Sequence, residues 1–262
     1  MKSGIYYFSG TGNSLSVAGK ISAGLKECGL FPIPRVMKEE KDVQGEVIGI
    51  VCPIYMHNMP LIVAEFIGRI KRADYLFFVF SGAGGMGDGD KVVRKFFRKK
   101  GLTLSALFNV PMPSNYTPYG CLPPERQKLL LEAVDGKVGE IIRIVRERKT
   151  HFDTSSSGFF KSYIHPGLLY KIAYPHIRTF DKIFSVDENC NGCGMCSQVC
   201  PVGNIIMKDN RPQWTKNCQQ CYACLQWCPK KAIQAGAKTA AIDRYHHPDV
   251  SVKEIISASP SS

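Results

Sequence analysis

Eight of the chain's 11 cysteines lie between Cys190 and Cys228. They form two runs with one spacing, C-x2-C-x2-C-x3-C-P. The first is Cys190, Cys193, Cys196 and Cys200 before Pro201; the second is Cys218, Cys221, Cys224 and Cys228 before Pro229. Three thiolates at i, i+3 and i+6 in a tight loop reach three corners of one iron–sulfur cubane, and the fourth cysteine ligates the neighbouring cluster. The spacing therefore predicts two [4Fe–4S] clusters. One is held by Cys190, Cys193, Cys196 and Cys228, the other by Cys218, Cys221, Cys224 and Cys200. Crossed ligation of this kind brings the clusters close together, which suits electron exchange. Structural zinc uses separated CxxC pairs, not four cysteines in a row ending in Pro. The repeat extends past the thiols. CNGCGMCSQVCPVGNI recurs as CQQCYACLQWCPKKAI, and at the same offset Val186 corresponds to Trp214. Gly192, Gly194 and Gly203 are expected to let backbone N–H groups approach the sulfurs. Ile205 and Ile233 are expected to keep water away.

A second chemical motif stands at the other end. An apolar run at 5–8 leads into Ser9, Gly10, Thr11, Gly12, Asn13 and Ser14, and a helical pattern follows. A strand, a small polar loop and a helix N-terminus offer free amides and a dipole to an anion. The loop lacks the third glycine of a dinucleotide fingerprint, because Leu15 stands there. It also lacks the Gly-Lys-Ser/Thr ending of a Walker A loop. It suits a phosphate monoester. Two further loops follow predicted strands: Pro53, Ile54, Tyr55 and Met56 begin PIYMHNMP, and Ser81, Gly82, Ala83, Gly84 and Gly85 begin SGAGGMGD. In a doubly wound sheet such loops meet in one crevice at the switch point. Tyr55 is the candidate to stack on a flat ring, and the third loop's glycines would let amides reach the ring's polar edge. Asn115 and Tyr116, in a Pro-rich loop at the same end, are candidates to cover the ligand. His57, Cys52 and Cys121 are assigned no chemistry.

The elements that would hold these loops are legible as alternating runs. Strands are expected at 5–8, 47–52, 75–80 and 104–110, with a weaker one at 30–36. Helices are expected at 14–28, stopped by Gly29, at 61–70, at 91–99 and over 125–149. The alternation implies an α/β doubly wound parallel sheet, order 2-1-3-4-5, over residues 1–150. Residues 151–183 read as a Ser-rich linker followed by an aromatic-rich docking segment, and 184–236 as a small α+β two-cluster unit. Residues 237–262 read as a tail with disordered last residues.

The formal net charge is +12. From Phe184 onward there are 8 basic and 6 acidic residues, which leaves 26 and 16 for the rest. Each loaded cluster with its thiolates adds about −2, so the loaded molecule would be basic at one end and mildly acidic at the other, a polarity that orients redox partners. Hydrophobic residues make up 44 %, and no apolar stretch approaches the roughly 20 residues of a membrane helix. The first residues contain no secretory signal pattern, so a cytoplasmic location without membrane contact is expected. The basic runs at 98–100 and 146–149 fall at predicted helix ends, where cations complement the dipole. Nucleic-acid binding is therefore not expected.

The cysteine region resembles bacterial two-cluster ferredoxins across 184–236, with Asn204 where many of them have Ala; it is read as a packing position. The whole order of motifs, YFSGTGNS, PIYMHNMP, the Gly-rich third loop, MPSNY, the paired cysteine runs and RYHHPD, resembles the fused flavodoxin–ferredoxin proteins of anaerobic bacteria and archaea. The resemblance implies FMN on the N-terminal loops, two [4Fe–4S] clusters and electron transfer with redox partner proteins. The alternative is a flavin-dependent reductase of a small molecule, fed by the clusters. No acid–base pair stands out to support such an enzyme.

Overall fold

The computed structural model describes residues 3–55, 58–83, 85–154 and 174–260. Met56, His57, Gly84 and the aromatics at 159–170 lie outside the described residues. Six parallel strands form one sheet in the order β2-β1-β3-β4-β5-β6: β1 Ser3–Tyr7, β2 Cys28–Pro32, β3 Val43–Pro53, β4 Ile70–Gly82, β5 Ala106–Pro111 and β6 His151–Phe152. In β4 every residue from Tyr75 to Ser81 is buried. Such a run, with no alternation, requires cover on both faces. Helices α1 (Asn13–Gly24) and α6 (Val134–Arg146) pack together, as do α2 (Ile33–Lys38) and α3 (Leu61–Ile67). Right-handed crossovers place the two pairs on opposite faces. This is an α/β doubly wound fold whose first five strands follow the flavodoxin-like order.

Several expectations are corrected. Helix α1 ends at Gly24, where Leu25 turns extended, so Gly29 does not stop it; Gly29 lies inside β2. Residues 33–36 belong to α2, initiated by the Ile-Pro step with Pro34 in its first turn. The helix expected over 125–149 is two, α5 (Pro124–Glu132) and α6, divided at Ala133. Only α6 carries a buried stripe, of Val134, Val138, Ile141, Ile144 and Val145. His151 and Phe152, at the start of the segment read as a linker, pair with Ala106 and Leu107 and add the sixth strand.

Residues 184–235 form two small antiparallel pairs, β7 (Phe184–Val186) with β10 (Ile233–Ala235), and β8 (Ile205–Lys208) with β9 (Arg211–Trp214). Short helices Met195–Gln198 and Ala223–Gln226 follow the first two cysteines of each run and carry the third. The repeat recurs in the backbone: Gly192, Gly194 and Gly203 have positive φ, and so do their counterparts in the second half, Gln220, Tyr222 and Lys231. The first half meets this demand with glycine. The second half accepts left-handed backbone in larger residues, at about 1–2 kcal/mol each.

The segment read as a tail is ordered to its last described residues. A 3-10 turn Ala237–Ala241 leads back across the first domain to helix Val252–Ala258. That helix begins with a capping box between Ser251 and Glu254, and it buries Ile255 and Ala258 in the main core. Few apolar residues suffice here, because the last helix lies against α2, on a surface the first domain already presents.

Candidate electron-transfer site

The eight cysteines line two separate small cavities. Cys190, Cys193, Cys196 and Cys228 meet in one; Cys200, Cys218, Cys221 and Cys224 meet in the other. These are the two crossed sets named from the spacing. Ile233 lines the first and Ile205 the second, both buried. The cavities differ in exposure. Cys193 is exposed and Cys190 and Cys228 are half-buried, whereas all four cysteines of the second are buried.

Burial raises five of these thiols. Cys218 is pushed up to about 12 and Cys196 to about 11, first by desolvation and then, among other causes, by neighbouring cysteines. Cys200, Cys221 and Cys224 are raised for the same leading reason. Crowded thiolates in a dry cavity need a cationic centre to stay deprotonated, so metal loading must release protons. N–H groups point at the sulfurs: Asn204 N donates to Cys200 Sγ (3.1 Å), Ala232 N to Cys228 Sγ (3.3 Å) and Gln220 N to Cys218 Sγ (3.2 Å). Such bonds tune a cluster's potential.

The glycine-rich loop sits at the carboxyl end of β1. Ser9, Thr11, Asn13 and Ser14 are buried. Gly12 N donates to Ser9 Oγ (3.1 Å), and Ser14 Oγ shares a hydrogen bond with Ser81 Oγ (2.7 Å), which joins the first loop to the third. No side chain caps α1, and its first turn has no acidic residue. The opening amides are thus left for a ligand. In the second loop Tyr55 pairs with Asn58 through the backbone. Its hydroxyl is buried without a hydrogen-bond partner, and burial together with Cys221, Cys52 and Cys218 raises its pKa. Pro53 pairs with Ser81 and Gly82 with Pro111, so the loops leave adjacent strands at one level. Ile54 touches the point where a Cβ on Gly82 would stand. Ala83 and Gly85 are exposed.

The second cavity is set directly against these loops. A Cβ on Gly10 would stand 2.6 Å from Cys221 O. Trp227 Nε1 donates to Gly10 O (2.9 Å), and Gln219 Oε1 accepts from Ile62 N (3.0 Å). Asn115 Nδ2 donates to Thr11 Oγ1 (3.1 Å) and approaches Cys221 O (3.5 Å). Buried Gln226 donates to Asn115 O (2.6 Å) and Thr117 Oγ1 (2.8 Å) and accepts from Tyr245 N (2.7 Å). Tyr245 Oη donates to Asn13 Oδ1 (2.7 Å), and His247 N to Thr11 O (2.8 Å). Sequence reasoning missed Gln219, Gln226, Trp227, Tyr245 and His247 as site residues. Of these only Tyr245 and His247 had a signal, the RYHHPD segment. Among the described aromatics of the docking segment, Tyr174 Oη reaches Met59 O (3.2 Å), whereas Phe180 is exposed.

Asn204 is not a simple packing residue. Its side-chain oxygen accepts from Thr215 N and Asn217 N, and its Nδ2 donates to Asp181 Oδ2 (3.2 Å). Cys121 Sγ donates to Asp243 O (3.0 Å), and Cys52 is buried in the sheet core. No helix among the described residues is long and apolar enough to cross a membrane.

Comparison with known proteins matches residues 189–233 to a family model described as a 4Fe-4S dicluster domain. No curated protein matches the chain. A solved structure of a Trp repressor binding protein from Bacillus subtilis is similar over 51 % of this chain and 94 % of its own, at 17 % identity and a TM-score of 0.31. The strand order, not that likeness, carries the fold of the first domain. The cysteine region is thus similar to 4Fe-4S dicluster domains, which indicates iron–sulfur electron transfer by this part of the chain.

Proposed function

We propose that the chain carries electrons between two [4Fe–4S] clusters and an FMN, and exchanges them with redox partner proteins. Cys190, Cys193, Cys196 and Cys228 hold cluster one; Cys218, Cys221, Cys224 and Cys200 hold cluster two. The residues at the crevice fit a flavin mononucleotide. The uncapped start of α1 with the hydroxyls of Ser9, Thr11 and Ser14 suits a phosphate. The unpartnered Tyr55 hydroxyl leaves a polar atom for the ring system. In this reading Ser9–Ser14 hold the phosphate, while 53–56 and 81–85 hold the ring. Bound there, FMN accepts one or two electrons and so links one-electron and two-electron chemistry.

The observation that carries the proposal is the contact of Cys221, a cluster-two cysteine, with Gly10 of the phosphate loop. The chain's own residues build this junction. Trp227 and Gln219 fix the cluster-two loop to the first domain, and Tyr245 and His247 fasten the C-terminal strap over it. Burial keeps water from cluster two, whereas exposed Cys193 leaves cluster one open to a partner. Composition tests the reading. Protein purified without oxygen should hold about eight iron, eight sulfide and one FMN per chain. Zinc in place of iron, or iron without flavin, would refute it.

A further inference from the structure

The sequence repeat supplies an internal control on the two cluster sites. Asn204 and Ala232 occupy equivalent positions, each the fourth residue after the last cysteine of its run. Each donates its backbone N–H to that cysteine, at 3.1 Å to Cys200 and 3.3 Å to Cys228. Beyond that bond the halves differ. Ala232 ends at a methyl group. Asn204, 1 % exposed, reaches from the wall of the cluster-two cavity to the carboxyl group of Asp181.

Asp181 is 3 % exposed. It lies on the 3-10 segment Tyr174–Ile183, which packs against the cluster-two loop through Cys218 N donating to Arg178 O (3.0 Å). Its Oδ2 accepts from Asn204 Nδ2 (3.2 Å) and from Lys216 N (2.7 Å), just before Cys218. Among the described residues only N–H groups hold it, with no cation paired to it. At the offset of the repeat, the equivalent of Asp181 is Asp209, and that side chain is exposed. The two aspartates share only the 28-residue offset: Asp181 stands on the 3-10 segment before the repeat, Asp209 in the turn between β8 and β9. One is buried and fixed beside its cluster site; the other is in water, where its field is screened.

Reduction of a [4Fe–4S] cluster adds an electron to a centre that is already anionic. A fixed negative charge nearby, in a medium of low dielectric, opposes that addition far more than an exposed one does. We propose that Asp181 is a potential-setting residue: its buried charge, anchored by Asn204 and the Lys216 amide, lowers the reduction potential of cluster two and leaves cluster one nearly untouched. Cluster two, the one against the N-terminal loops, is thereby made the stronger electron donor of the pair. The inference rests on the cluster assignment proposed above.

The test uses the full chain, purified and loaded without oxygen, with Asp181→Asn, Asp181→Ser and the charge-keeping Asp181→Glu. Iron content is measured first. The shifted cysteine β-proton resonances of each four-cysteine set are then followed through a redox titration, so that each cluster reports its own midpoint. D181N and D181S should raise the midpoint of the set Cys200, Cys218, Cys221 and Cys224 and leave the other set in place, while D181E stays near wild type. The proposal is overturned by an unmoved midpoint, by equal shifts in both sets, or by a shift in D181E as large as in D181N. Loss of iron from the neutral variants would also overturn it, by making Asp181 a structural residue. A wild-type chain without iron would instead defeat the cluster assignment.

Discussion

At the scale of single residues, Gly10 sets how closely the two halves of the molecule meet. A methyl group there would collide with Cys221 O, a backbone atom that cannot swing aside. Gly10→Ala should therefore cost about 1–3 kcal/mol, as overpacking does. It should also slow electron passage between cluster two and the crevice while iron content stays constant. Thermal unfolding checks the first statement, and iron analysis together with the rate of flavin reduction after rapid mixing checks the second; an unchanged Tm would show that the contact is looser than described. Residues of this kind divide sharply in how well they can be read in advance. The eight cysteines are legible because a cubane dictates thiol spacing along the chain. Gly10 is legible as a loop glycine, but its contact with Cys221 is not. The two stand near opposite ends of the chain, and no local pattern encodes their meeting. Asn204 was misread for the same reason, as its partner Asp181 precedes the cysteine motifs.

At the scale of elements, the C-terminal strap holds more than its composition suggests. Ile255 is 1 % exposed and packs in the main core. Ile255→Ala should destabilise the protein by about 2–5 kcal/mol, measured by urea unfolding, whereas a free tail would tolerate the change. The strap also carries a pH dependence. Burial, with Lys20 adding to it, lowers the pKa of His247 below its ordinary value. The folded state thus binds the proton less readily than the unfolded chain does, and stability rises with pH through this range. The His247 contribution should be complete above about pH 6.5 and lost as pH falls through the lowered folded value. Urea midpoints of wild type and His247→Asn between pH 7 and pH 5 would show it, and parallel slopes would remove His247 as the cause. The capping box at Ser251 and Glu254 was the available signal for the last helix. The low apolar content of 237–262 points away from a helix, but it matters less when a helix lies on a preformed surface. Residues 33–36 misled in the opposite way: branched side chains favour strands, but Pro34 denies the ladder a donor and suits a first helical turn.

At the scale of the whole molecule, the proposed arrangement is a sequence of sites: the partly exposed cysteine set, the buried set, then the loops at the carboxyl ends of β1, β3 and β4. The doubly wound order and the two-cluster repeat were each legible, because period and spacing are local properties. Which cluster faces the crevice was not, because it follows from packing between parts far apart in the chain. The most direct measurement is rapid mixing of the oxygen-free, fully loaded protein with a one-electron donor, following flavin and cluster absorbance together. Reduction of the clusters should be followed by reduction of the flavin within the same molecule, at a rate independent of protein concentration and slowed in Gly10→Ala. Clusters that stay reduced beside an oxidised flavin, or a rate that scales with protein concentration, would contradict the account.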